Sequence, residues 1–123
     1  MAKKKILLVD DEKDLVETVT FRLEAAGYEV VPAYDGQEGF EKAKSEKPDL
    51  IILDLMLPKM DGYKVCRMLN FDGKYKKIPI LMFTARAQES DKKIGEEVGA
   101  NDYITKPFEP QALLGKIKEL LGD

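Results

Sequence analysis

Five polar side chains stand where apolar runs stop. Asp10 and Asp11 close ILLV at 6–9, Asp54 closes LIIL at 50–53, Thr84 closes IPILMF at 78–83, and Lys106 follows DYIT at 102–105. Carboxylates crowded together repel and raise one another's pKa. A divalent cation removes that objection, and an all-oxygen donor set suits a hard ion such as Mg²⁺, which keeps several waters beside a few carboxylates. An ammonium and a hydroxyl beside such an ion can hold the oxygens of a phosphoryl group. A carboxylate oxygen can itself accept that group as an acyl phosphate, and Asp54, ending the middle run, is the first choice for this role.

That chemistry requires the five residues to meet, so the elements that carry them decide the matter. Strands are expected at 5–10 and 50–53, continuously apolar through residues 6–9 and 50–53, as suits strands covered on both faces. Further strands are expected at 28–33, 78–83 and 102–105. Between them, Leu15, Val16, Val19, Leu23 and Ala26 recur at helical spacing with Gly27 as the stop. A second helix is expected from Asp35 or Gly36 to about Ser45, packing through Phe40 and Ala43. A third starts after Asp61 as N-cap, with Val65, Cys66 and Leu69 inward. A fourth, at 90–98, is highly charged, with only Ile94 and Val98 as apolar anchors, and is expected to be loosely held. A last helix starts at Pro110 and carries Leu113, Leu114, Ile117, Leu120 and Leu121 in one stripe. The segment FDGKYKK at 71–77 reads as an exposed connection around Asp72-Gly73.

The alternation βαβαβαβαβα implies an α/β fold: a parallel five-stranded sheet with helices on both faces, a flavodoxin-like (βα)5 three-layer sandwich. All strand C-termini then lie on one edge. With strand order 2-1-3-4-5, the first and third strands are neighbours and the crevice between them holds Asp10, Asp11 and Asp54. Each residue also has a plainer reading. Asp10, Asp11 or Glu12 can cap the first helix, Asp54 can form a turn, Thr84 can cap the loop or helix after the fourth strand, and Lys106 can be a surface charge. Only convergence on one edge favours the chemistry.

Composition narrows the classes. The chain has 123 residues, read as one domain spanning 1–123, with 44% hydrophobic and 35% charged residues. Its net charge of −3 does not favour wrapping nucleic acid. One cysteine, Cys66, and no histidine exclude an internal disulfide and argue against structural zinc. No signal-peptide core or membrane span is apparent, which fits a cytoplasmic location.

The motifs together resemble the receiver domain of two-component response regulators, the phosphoacceptor modules related to the bacterial chemotaxis regulator. LLVDDE resembles the family's acidic pair, LIILDLMLPKMDG its phosphorylation-site strand and loop, PILMFTA its hydroxyl-bearing segment, and GANDYITKPF its aromatic-switch and lysine-proline motif. The resemblance spans essentially the whole chain. It implies Asp54 as phosphoacceptor, Asp11 as a direct Mg²⁺ ligand, Asp10 supporting the metal through water, and the Met56 backbone carbonyl as a further ligand, with Mn²⁺ as a substitute ion. It implies that Lys106 and Thr84 hold the phosphoryl group, that Tyr103 changes rotamer with Thr84, and that the bond before Pro107 is cis. Pro58 and Gly62 match the loop after the phosphosite. The phosphodonor would be a phosphohistidine on a sensor histidine kinase or histidine phosphotransfer protein. An activated homodimer through the 90–98 helix, the fifth strand and the last helix is a family option, with no direct contact to nucleic acid or membrane.

Three other readings compete, the first with the same Asp11, Asp54, Thr84 and Lys106. A small Mg²⁺-dependent phosphohydrolase would turn over phosphate esters rapidly, whereas a receiver is labelled stoichiometrically on one aspartate. A flavodoxin-like mononucleotide binder needs donors in the first loop, which is acidic here. A degenerate receiver acting only as a binding module would show no Mg²⁺ response. Met56 and Arg86, two positions beyond Asp54 and Thr84, are expected to screen the acyl phosphate from water.

Overall fold

The computed structural model describes residues 3–75, 77–84, 99–105 and 109–122, with the backbone alone at Thr84. The chain alternates β1 (Lys5–Val9), α1 (Lys13–Ala25), β2 (Glu29–Ala33), α2 (Gly36–Glu46), β3 (Leu50–Asp54), α3 (Gly62–Phe71), β4 (Ile80–Thr84), β5 (Asp102–Thr105) and α4 (Pro110–Leu121). The helix expected at 90–98 lies outside the described residues. Among the described residues the strand pairs are parallel and the sheet order is β2-β1-β3-β4-β5, the expected order.

The period-two geometry of strands explains the layers. Ile6, Leu8, Leu50, Ile52, Leu81 and Phe83 point to one face, where Val16, Val19 and Leu23 of α1 and Leu113 and Ile117 of α4 cover them. Leu7, Val9, Ile51, Leu53, Ile80 and Met82 point to the other, under Ala43 of α2 and Val65, Cys66 and Leu69 of α3. Hence β1 and β3 are apolar without alternation: each side chain has a helix layer to enter. Edge strand β2 is more open, and it tolerates Pro32 because one side needs no ladder donor. Lys42 of α2 donates to the Pro32 carbonyl at 2.7 Å.

Several boundaries differ from the sequence reading for local reasons. Tyr28 is not in β2. Its amide donates to the Leu23 carbonyl at 3.1 Å, closing α1 through Gly27 at φ +98. Ala26 consequently caps α1 and is exposed rather than packed. Ile78 precedes β4, because its amide turns back to the Tyr75 carbonyl at 3.1 Å. The 71–77 connection is exposed only in part: Phe71 ends α3 in solvent, while Tyr75 packs on the second core. Burial pushes the Cys66 thiol up to about 12, so it is an inert core group.

Candidate phosphoacceptor site

Register places the acids. Val9 pairs with Leu53, so the residues after them, Asp10 and Asp54, emerge side by side at the C-terminal edge. Asp54 is opposite Phe83, and Thr84 pairs with Thr105, which brings the ends of β4 and β5 to the same edge. Lys106 comes directly after Thr105. Lys106, Pro107 and Arg86 lie outside the described residues, as does the side chain of Thr84.

Asp10, Asp11 and Asp54 each offer a carboxylate oxygen, and the three oxygens lie within 4.8 Å of one another. Asp10 is fully buried, Asp54 is 4% exposed, and Asp11 faces solvent. Of the three acids offered as caps, Glu12 occupies the N-cap position of α1, without a side-chain cap bond. Instead, the Glu12 amide donates to Asp10 Oδ1 at 2.9 Å, and the Met56 amide donates to Asp54 Oδ1 at 3.3 Å. Each buried acid thus holds the backbone that leaves its own strand. A magnesium octahedron, with ligands at about 2.0–2.1 Å, spans about 4 Å from one oxygen to the opposite one. Three oxygens within 4.8 Å fit that span after a small contraction. The donor set is all oxygen, with two of its three acids buried, so it fits a hard divalent ion better than zinc or copper.

The loop that leaves Asp54 is tightly held. Gly62 donates to the Leu55 carbonyl at 3.0 Å, and a Cβ at Gly62 would overlap the Asp54 carbonyl. Asp61 caps α3, accepting from the Lys64 amide at 2.9 Å. Met56, two residues past Asp54, has a largely exposed side chain beside the cup. Tyr103 in β5 is half-buried and packs against the core beneath α2 and α3.

Sequence reasoning missed the corner that meets this loop. Asp35 caps α2 by accepting from the Glu38 amide at 2.8 Å, and its other oxygen lies 3.6 Å from Lys59 Nζ. These contacts hold the Asp35 carboxyl below the usual carboxylate range, the Glu38 amide contributing most. The helix start at Asp35 or Gly36 was visible in the sequence, but the cap bond and the contact with residues 58–60 were not.

A family model described as the response regulator receiver domain matches residues 6–118. The chain belongs to the response regulator receiver family. This receiver is 50% identical over 118 residues to the alkaline phosphatase synthesis transcriptional regulatory protein PhoP of Bacillus subtilis, covering 96% of this chain and 48% of that protein. It is 46% identical over 117 residues to the DNA-binding dual master transcriptional regulator RpaA of a Synechocystis species, covering 95% of this chain and 48% of that one. The chain spans about half the length of the curated relatives it matches. Among solved structures, a putative response regulator from Chloroflexus aurantiacus superposes with a TM-score of 0.94 at 40% identity, over 99% of this chain and all of that one. The receiver domain of a sensor histidine kinase from Pseudomonas aeruginosa, with a magnesium ion coordinated in its active site cleft, gives 0.91 at 30% identity, over 99% and 100%.

Proposed function

We propose that this receiver is a phosphorylation-dependent switch in which Asp54 accepts a phosphoryl group from a phosphohistidine on a sensor histidine kinase or phosphotransfer protein. The observation that carries the reading is the meeting of Asp10, Asp11 and Asp54 from two adjacent strands within 4.8 Å. Asp11, Asp54 and the Met56 carbonyl would hold the metal, with Asp10 behind them. A bound Mg²⁺, or Mn²⁺ in its place, offsets the acids and polarises the phosphoryl oxygens.

An Asp54 carboxylate oxygen attacks phosphorus. The new O–P bond forms as the P–N bond to imidazole breaks, and the imidazole leaves. Lys106 pairs with one phosphoryl oxygen and Thr84 donates to another. Water attack on phosphorus later releases inorganic phosphate and restores the Asp54 carboxylate. Thr84 moving toward the phosphoryl group opens space behind it for Tyr103, a local two-state change at the end of β4 and in β5. The output surface is then the 90–98 segment with β5 and α4, available to a target or to a second activated copy. A cytoplasmic setting belongs to this reading. No helix among the described residues is long and apolar enough to cross a membrane.

The test is intact-mass measurement after incubation with a small phosphodonor and Mg²⁺. The wild type gains one phosphoryl group and Asp54→Ala gains none. Equal labelling of both, or catalytic turnover of varied phosphate esters, overturns the reading.

A further inference from the structure

The loop at 55–61 is pinned from outside the acidic cup by α2. Gly36, the first residue of α2, donates its amide to the Pro58 carbonyl at 3.2 Å. It approaches so closely that a Cβ there would overlap the Met60 carbonyl. Between these contacts Lys59 sits at φ +67, the centre of a tight three-residue turn that is strained for a lysine. Its ammonium reaches Asp35 Oδ2 at 3.6 Å, while Asp35 Oδ1 holds the start of α2. The Met60 amide closes the loop onto the Pro58 carbonyl at 2.7 Å.

Lys59 is 70% exposed at its side chain, so its ion pair adds little to global stability. Its geometric effect is larger. The loop begins one residue after Asp54, and Met56 lies between that aspartate and the pinned turn. Magnesium tolerates little error in ligand position, and a carbonyl on an unpinned loop must be ordered each time the ion binds.

We propose that Asp35, Gly36 and Lys59 are positioning residues for the cation site: they clamp the 55–61 loop to the head of α2 and so set the Met56 carbonyl over the cup. This rests on the reading of Asp10, Asp11 and Asp54 as that site. Linkage makes the effect reciprocal, so an ion in the cup tightens the Gly36–Pro58 contact.

The experiment titrates Mn²⁺, monitored by loss of the free-ion paramagnetic resonance signal, into wild type, Asp11→Asn, Gly36→Ala, Lys59→Gly and Lys59→Arg. It also measures amide exchange in wild type with and without Mg²⁺. Asp11→Asn loses binding, which upholds the site itself. Gly36→Ala binds about tenfold more weakly, as removal of an outer support does. Lys59→Gly weakens binding severalfold and Lys59→Arg restores it. In wild type, Mg²⁺ slows exchange at the Gly36 amide and leaves Gly122 unchanged, a readout that requires no variant to fold. If Asp11→Asn loses the ion while Gly36→Ala and Lys59→Gly match wild type, the clamp is refuted and the site stands. A Gly36 amide indifferent to Mg²⁺ while the Met56 amide responds refutes it equally. If wild type and Asp11→Asn bind alike, the site reading fails and the clamp falls with it.

Discussion

Replacing Asp10 by asparagine should stabilise the metal-free protein. Asparagine keeps the shape and an oxygen to accept the Glu12 amide, which now donates to Asp10 Oδ1 at 2.9 Å. It removes one negative charge from the three carboxylates grouped within 4.8 Å. Two unit charges at that distance repel by about 3.5 kcal/mol at an effective dielectric of about 20. Asp10 and Asp54 are both buried, so their mutual repulsion is screened little, whereas that with Asp11 is reduced by solvent. The Glu12 amide binds a neutral acceptor more weakly, which offsets part of this, so the gain is about 1 kcal/mol, or ~4 °C in a domain of this size. The assay is thermal and urea unfolding at neutral pH, first with a chelator and then with millimolar Mg²⁺. Wild type rises with Mg²⁺ as mass action requires, and Asp10→Asn rises less, so the gap narrows. An Asp10→Asn protein no more stable than wild type in chelator would refute the claim that crowded acids hold this site under tension.

Gly62→Ala should lose about 3 kcal/mol, the upper end of the usual overpacking cost, because its Cβ would enter the Asp54 carbonyl; urea midpoints of purified variants check this. Cys66, with its thiol raised to about 12, should resist alkylation until the chain unfolds. The unfolded thiol loses its proton above about 9 while the buried one keeps it, so stability present below about 9 falls by up to ~1.4 kcal/mol per pH unit as pH rises towards 12. Cys66→Ala should remove that part of the slope, as alkaline melts would show. Met56→Asn should shorten the lifetime of the phosphorylated form by exposing the acyl phosphate to water, and Arg86→Ala should act in the same direction. Decay rates equal to wild type in both would contradict the screening role.

Much of the framework was legible because the physics is repetitive. A strand buried on both faces has to be continuously apolar, and residues 6–9 and 50–53 show it; a helix against a sheet needs one stripe, and Leu113 and Ile117 provide it. The acidic cup was legible at one remove: parallel topology converts strand-ending residues into neighbours, as the Val9–Leu53 register confirms. Contacts between loops distant in sequence escaped. No pattern announces that Gly36 abuts Met60, or that Lys59 rather than a glycine takes a positive φ, since both arise from the approach of α2 to the 55–61 loop. Tyr75 escaped similarly, reading as part of a polar connection yet packing on the core beneath α2 and α3.

The most direct test is anomalous diffraction from crystals soaked in Mn²⁺. The ion should appear between the carboxylates of Asp11 and Asp54, with the Met56 carbonyl among its ligands and Asp10 behind. A strong manganese peak elsewhere, or no peak in the cup at saturating ion, would contradict the assignment of these three acids to one cation.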